Sequence, residues 1–180
     1  MEVALAYAAL AAHVAILVLV ITLLVRWARK KTPFDPWLRH LSTYGVALAL
    51  IVALSSVLGS LFYSEVLKFD PCLLCWYQRI FMFPLVIILG LAVWKDRTDV
   101  SFYSIPLAIA GAIVAAYHVA LQFAPSAPSL VDCTLGGVDC AVPYTAYFGY
   151  ISIPVMSLTS FVLIILFLWL SRKQFIEFEQ

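Results

Sequence analysis

Five long apolar segments constrain this chain more than any other feature of its sequence. A helix needs about 20 apolar residues to cross roughly 30 Å of hydrocarbon at about 1.5 Å per residue. Four segments contain no Asp, Glu, Lys or Arg, and the third contains only Arg79. The five segments are residues 4–25, 41–62, 73–94, 102–123 and 147–170. Because lipid offers no hydrogen bonds to the backbone, all five are predicted to be helices.

The composition excludes a water-soluble globule. Hydrophobic residues make up 64% of the chain and charged residues 12%, against roughly half and a quarter in soluble domains. The net charge of +1 gives no indication of a nucleic-acid partner. We expect an all-α membrane protein with a single integral membrane domain, residues 1–180. Residues 41–170 form a four-helix transmembrane bundle, and residues 4–25 add one N-terminal transmembrane helix.

The basic residues predict the orientation of the bundle. Nine of the eleven Lys and Arg residues follow the first, third or fifth span, and short basic loops remain in the cytoplasm. The predicted topology is therefore N-out/C-in, with outward loops at residues 63–71 and 124–146. The first span has no basic residue before it and exceeds the length of a signal-peptide core. We therefore expect it to be retained.

The four cysteines all lie in or beside the two outward loops. Cys72 and Cys75 form a Cys-x-x-Cys pair, and Cys133 and Cys140 form a Cys-x6-Cys pair. Disulfides persist outside the cytoplasm, and the Cys-x-x-Cys spacing favours thiol–disulfide exchange over two structural disulfides. A zinc site is disfavoured, because the second spacing is unusual for zinc and no His is adjacent to a cysteine in sequence. We expect no metal.

The residues around the first pair predict its local environment. Asp70 suits a helix N-cap and Pro71 the first helical position, which would put Cys72 and Cys75 in the first turns of the third span. The helix dipole there favours a thiolate. Arg79 lies one turn below Cys75 and could stabilise an anion. The alternative for Arg79 is an arginine that extends to the lipid phosphates.

Two histidines lie within spans. His118 and Gln122 are four residues apart near the outer end of the fourth span, at a depth that matches Arg79 and is compatible with a shared pocket. The alternative is a polar pair that ends the helix at the lipid headgroups. His13 lies in the middle of the first span, where buried packing or an interhelical hydrogen bond is expected.

The motifs together resemble one family. Residues 72–79 read Cys-Leu-Leu-Cys-Trp-Tyr-Gln-Arg, which is similar to the signature of the DsbB/BdbC membrane thiol oxidases. Residues 117–122, Tyr-His-Val-Ala-Leu-Gln, resemble the segment before the family's second outward loop. Residues 147–154, Tyr-Phe-Gly-Tyr-Ile-Ser-Ile-Pro, resemble the start of its last helix and are most similar to the BdbC branch.

The resemblance implies an enzyme of disulfide bond formation in the bacterial plasma membrane. A reduced, DsbA-like thioredoxin-fold oxidase outside the cytoplasm would attack the Cys133–Cys140 disulfide at Cys133. The Cys72–Cys75 disulfide would then reoxidise the loop pair, with Cys72 as the exchange partner. Because the strongly oxidising kind of partner has a potential near −120 mV, keeping it oxidised requires a strong electron acceptor.

The resemblance also implies the acceptor, a membrane quinone that is either ubiquinone or menaquinone. Electrons would pass to it from Cys75, Arg79 would contact a quinone oxygen, and His118 would lie near the quinone ring. Two features depart from the family: the additional first span, and the short Cys-x6-Cys loop, which some members replace with a longer one.

Two other interpretations remain open. Quinone reductases that resemble vitamin K epoxide reductase also join a loop pair to a Cys-x-x-Cys, but there the loop pair comes first in the chain, whereas here Cys72 and Cys75 come first. The second is a non-enzymatic membrane protein that holds structural disulfides or a metal.

Overall fold

The fold of this chain is all-helical in a computed structural model that describes residues 2–28, 36–97, 99–124 and 139–178. The helices are α1 (Glu2–Ala28), α2 (Pro36–Thr43), α3 (Gly45–Leu61), α4 (Leu73–Trp94), α5 (Ser101–Phe123) and α6 (Ile153–Phe178). A single π-helical turn, Phe62–Val66, continues α3. Five helices in the described ranges are long and apolar enough to cross a membrane. The prediction of five spans is therefore confirmed.

The bundle is formed by α3, α4, α5 and α6, which pack in a closed ring, and α1 and α2 lie outside it against α6. Its core contains small residues on α3 and α5, such as Ala53 and Ala115, opposite larger ones on α4 and α6. Gly111 of α5 faces the ring of Phe161, where a Cβ would overlap the ring. Small residues at such positions allow membrane helices to approach closely.

Two predicted span boundaries were wrong. The second span begins at Gly45, because the helical path breaks at Tyr44 and the residues before it form the separate helix α2. The last span begins at Ile153 rather than at residue 147. Phe148 and Gly149 have positive φ angles of 53° and 80°, which reverse the chain in a turn closed by a Tyr147–Ile151 bridge.

The connections between helices lie at the two ends of the bundle and carry many of its polar residues. The α3–α4 connection and the segment before α6 lie at one end, and they carry Cys72 and Cys140. The α4–α5 connection lies at the other end with Lys95 and Arg97. Cys133, together with most of the predicted 124–146 loop, lies outside the described residues, as do Lys30 and Lys31 of the first basic cluster.

Candidate functional site

The first cysteine pair lies at the N-terminus of α4. The helix begins at Leu73 and its N-cap is Cys72, whose φ and ψ are −66° and 169°. The prediction of Asp70 as the N-cap was therefore wrong. Cys75 follows in the first turn, and the Cys72 thiol donates a hydrogen bond to Cys75 Sγ at 3.1 Å. The pair therefore stands as two thiols, whose sulfurs are farther apart than the about 2.05 Å of a disulfide.

The hydrogen bond changes the chemistry of Cys72. Donation to Cys75, together with burial, raises the pKa of the Cys72 thiol to about 12. Loss of the proton would remove the hydrogen bond and leave a charge in a buried position, so the neutral thiol is favoured. In the reduced pair, Cys75 Sγ is therefore the hydrogen-bond acceptor and Cys72 keeps its proton.

His118 of α5 contacts both cysteine segments. Its Nδ1 accepts a hydrogen bond from the Gln78 side-chain amide at 2.9 Å. An amide nitrogen only donates, so the ring proton is on Nε2. That Nε2 lies 3.2 Å from the Cys140 carbonyl oxygen and 3.7 Å from Cys72 Sγ. His118 is 2% exposed and Gln78 6%. The ring is thus fixed in one tautomer, with its donor between the two cysteines.

Cys140 packs beside the first pair, on the segment that precedes α6. It is buried in a cluster with Cys72, Leu74 and Leu121. The turn at Cys140 is held by Asp139, whose carboxylate accepts the Ala141 N–H at 2.9 Å. The structure therefore brings a cysteine of the second pair into contact with the first, across 68 residues of sequence from Cys72.

An aromatic stack joins the two loops around this cluster. Phe69 and Tyr144 stack face to face with ring centroids 4.9 Å apart, and the Tyr144 hydroxyl donates to the Asp70 carbonyl oxygen at 3.2 Å. Tyr63 also stacks on Phe69, with ring centroids 6.1 Å apart. The segment that enters α4 and the segment that follows Cys140 are therefore fixed to each other.

The sequence predicted a site role for His118 but not its contact with the cysteines. One donor atom each from Cys72, His118 and Cys140 lies within 4.8 Å of the others, a spacing that a metal ion could use. The set has three protein ligands among the described residues, whereas structural zinc sites have four. The signal in the sequence was the depth of His118, which places it at the same end of the bundle as the cysteines.

Arg79 is held on the other side of Cys75. Its Nε donates to Ser60 Oγ and its Nη2 to the Ser60 carbonyl oxygen, both at 2.8 Å, and Nη2 also donates to Ser64 Oγ at 2.9 Å. The guanidinium carbon lies 5.2 Å from the Trp76 ring centroid. These three hydrogen bonds use Nε and Nη2 of the guanidinium.

A cavity of about 290 Å³ lies beside Arg79. Cys75, Gln78 and Arg79 form its polar end, and most of the rest is lined by apolar or small residues of α1, α3, α4 and α6. A second space of only about 20 Å³ lies among Cys72, His118 and Cys140. Cys75 lines both spaces, so one residue borders both the loop cysteine and the cavity.

Arg79 and His118, for which the sequence suggested a shared pocket, line two different spaces. Arg79 lines the larger cavity, and His118 lines the smaller one. Gln78 stands between them, because it lines the larger cavity while its amide bonds to His118. Gln122 accepts a hydrogen bond from Ser152 Oγ at 2.7 Å instead of pairing with His118.

The sequence is similar to known proteins over most of its length. A profile of the family described as "Disulfide bond formation protein DsbB" matches residues 42–171. "Disulfide bond formation protein C" of Bacillus subtilis is 47% identical over 124 residues, covering 69% of this chain and 89% of that protein. "Probable disulfide formation protein C 2" of Bacillus anthracis is 40% identical over 129 residues, covering 72% and 91%. No solved structure matches the chain.

Proposed function

This chain belongs to the DsbB family of membrane disulfide bond formation proteins, and we propose that it carries electrons from a DsbA-like thiol oxidase outside the cytoplasm to a membrane quinone. The observation that carries the proposal is the position of Cys75. The residue lines both the small space that Cys140 lines and the larger cavity that Arg79 lines. Such a placement suits a residue that joins thiol exchange to a lipid-soluble acceptor.

The first exchange takes place on the second cysteine pair. A thiolate of the reduced partner attacks Cys133 of the Cys133–Cys140 disulfide, forms a mixed disulfide and releases Cys140 as a thiolate. The partner's second thiolate then attacks the mixed disulfide, which releases the oxidised partner and leaves Cys133 reduced. Two thiols of the partner have become a disulfide, and the loop pair now holds the two electrons.

The second exchange moves those electrons to the first pair. The Cys140 thiolate attacks Cys72 of the Cys72–Cys75 disulfide, forms a Cys72–Cys140 bond and releases Cys75 as a thiolate. Cys133 then attacks Cys140, which restores the loop disulfide and releases Cys72. The contact of Cys140 with Cys72 supports this order of attack. His118 Nε2 lies 3.7 Å from Cys72 Sγ, so its N–H would donate to Cys72 as that sulfur departs in the second attack.

The larger cavity fits a quinone in its chemistry. A quinone has a planar ring with two carbonyl oxygens and an apolar tail, and the cavity combines a cationic end with largely apolar walls. Arg79, pre-positioned by Ser60 and Ser64, would donate to a ring oxygen, and Cys75 and Gln78 would line the same end. A bound quinone supplies the two-electron, two-proton acceptor that restores the Cys72–Cys75 disulfide. His118, predicted near the ring, does not line this cavity but bonds Gln78, which does.

The orientation proposed from the basic residues places the cysteine end outside. Lys95 and Arg97 lie at the end of the bundle opposite the described cysteines, and basic loops remain in the cytoplasm. Thiol exchange would then occur where disulfides persist. Labelling with a membrane-impermeant maleimide on intact cells tests this in a protein whose native cysteines are replaced by serine. Lys68→Cys, at an exposed position beside the first cysteine pair, should react, and Asp96→Cys, exposed at the opposite end, should not.

The test of the function is an assay with the purified protein in detergent. The protein is mixed with a reduced thioredoxin-fold oxidase and a soluble quinone, and quinone absorbance is followed. We expect quinone reduction that requires both the protein and the reduced partner, and that is lost in Cys72→Ser and Cys133→Ser. Absence of thiol-dependent reduction, or a stoichiometric zinc content that accounts for the thiols, would overturn the proposal.

A further inference from the structure

The helix that precedes the bundle also lines the cavity. The family match begins at residue 42, so α1 lies wholly outside it. Nevertheless, Ala8, Ala9 and Ala12 of α1 line the cavity that contains Arg79 and Cys75. We propose that α1 is one wall of the quinone site and sets how bulky a quinone the site admits. This inference rests on the proposed function, since the cavity is the proposed quinone site.

α1 is anchored along its length. Near its start, the rings of Tyr7 and Phe148 meet edge to face with centroids 5.4 Å apart. Further along the helix, Leu19 is buried in a cluster with Leu38 of α2 and Leu170 of α6. Contacts at two points along α1 hold it in one rotation about its axis. The alanines that line the cavity therefore keep this orientation.

A hydrogen-bond chain fixes the middle of α1. The hydroxyl of Thr159 on α6 donates to the Val155 carbonyl oxygen at 2.8 Å, so Thr159 Oγ1 is the acceptor for His13 Nε2–H at 2.7 Å. The other ring nitrogen, Nδ1, accepts from the Tyr150 hydroxyl at 3.4 Å. The interhelical hydrogen bond predicted for His13 is thereby confirmed. Because Thr159 itself lines the cavity, this contact holds α1 at the cavity edge.

The small side chains on α1 account for the space opposite Arg79. Ala12 follows Ala8 by one helical turn and Ala9 by three residues, so the three share one face. A larger side chain at any of these positions would extend into the cavity. Ala11 provides a matched control, because it is exposed and does not line the cavity. The two alanines are neighbours in sequence and differ in the direction they face.

The experiment uses the full chain in detergent and two readouts besides turnover. First, a photoreactive azido-quinone is crosslinked to the unaltered protein, and the labelled peptides are identified by mass spectrometry. We expect label within residues 2–28 as well as on α4. Second, the Kd of a short-chain quinone is measured by quenching of tryptophan fluorescence in Ala12→Phe, Ala11→Phe and Arg79→Ala.

Ala12→Phe should raise the quinone Kd at least tenfold, and Ala11→Phe should change it less than twofold. Both variants should oxidise one equivalent of reduced partner, without quinone, as the parent does. If α1 carries no label and Ala12→Phe binds like Ala11→Phe while Arg79→Ala binds weakly, the inference is wrong and the proposed function stands. If neither the parent nor any variant binds quinone, the proposed function itself fails. The labelling result does not depend on whether Ala12→Phe folds.

Discussion

The two spaces on either side of Cys75 differ in size and in chemistry. The space among Cys72, His118 and Cys140 measures about 20 Å³; these three residues are buried, and exposed residues such as Val142 and Tyr144 complete its lining. The cavity beside Arg79 measures about 290 Å³ and has one cationic end. Exchange between sulfurs needs close contact and no room for a ligand. An acceptor that diffuses in from the membrane needs room and a group that holds its oxygen.

Under the proposed function, the two spaces serve two separate tasks: exchange between cysteines in the small space and quinone binding in the large cavity. Substitutions in the small space should change the rate of exchange between cysteines and leave quinone binding intact. Substitutions around the large cavity should weaken quinone binding and leave the rate of exchange between cysteines unchanged. Cys75 lines both spaces, so its substitution should lower turnover more than any other.

Cys75→Ser should lower steady-state turnover by on the order of 10³-fold or more, because no disulfide can form at the first pair. The Cys140 thiolate and Cys72 remain in contact, so a Cys72–Cys140 disulfide should accumulate under mild oxidation. Non-reducing digestion and mass spectrometry identify this bond. A Cys72–Cys133 bond as the main product would show that the contact in the small space is not the reactive one.

The reduced Cys72 thiol should resist alkylation at neutral pH. Its pKa is raised to about 12 by donation to Cys75 and by burial. Below that value the thiolate fraction, and hence the rate, should grow about tenfold per pH unit. At pH 8 we expect iodoacetamide to modify Cys72 at least ~100-fold more slowly than a cysteine in the unfolded chain.

Cys75→Ala is the matched variant for this measurement, because it removes the hydrogen-bond acceptor and leaves burial nearly unchanged. It should speed the alkylation of Cys72. Equal rates in the two proteins would mean that burial alone protects the thiol.

Arg79→Ala should raise the KM for quinone by about 10- to 100-fold, since hydrogen bonds from charged groups contribute about 1.5–3 kcal/mol. The KM for the reduced partner should stay within about twofold. Arg79→Lys keeps the charge but loses the planar fork that bonds Ser60 and Ser64, so an intermediate KM is expected. Equal changes in both KM values would identify Arg79 as structural.

His118→Ala should slow the exchange between the two cysteine pairs by about tenfold, because a donor to the departing sulfur is lost. Rapid acid quenching followed by alkylation measures this step without quinone. Gln78→Leu should slow the same step less, since it removes only the group that fixes the ring tautomer. His40→Ala, an exposed histidine of α2 at the other end of the bundle, is the control. An unchanged rate in His118→Ala would exclude this role.

The smallest expected effect is at His13. His13→Leu removes its hydrogen bond to Thr159 and should raise the quinone KM about threefold to fivefold, the equivalent of about 1 kcal/mol. His13→Gln keeps a donor and should recover most of the loss. A fall in Tm without a change in KM would assign the contact to folding alone.

The sequence predicted the features that depend on local pattern. Span number follows from the length and apolarity of each segment, and Cys75 precedes Arg79 by one helical turn, so both were predicted to lie close together. The family resemblance, drawn from three short motifs, is confirmed by the match over residues 42–171.

The features that the sequence did not predict depend on contacts between distant segments. Nothing near Gln78 indicates that its amide meets His118, 40 residues away. Nothing in the alanines of α1 indicates which of them face a cavity. The start of the last span was missed for a different reason: residues 147–152 are apolar enough to continue a helix, and only the backbone angles at Phe148 and Gly149 show the reversal.

The aromatic stack between Phe69 and Tyr144 has a mechanical consequence. Because Tyr144 also bonds the Asp70 carbonyl oxygen, the backbone leading into Cys72 and the backbone leaving Cys140 are tied to each other directly. We therefore expect a force applied to the second loop to displace both cysteines together. In the proposed exchange, a partner that docks on this loop would then change the separation of Cys72 and Cys140 less than it changes the surface around them.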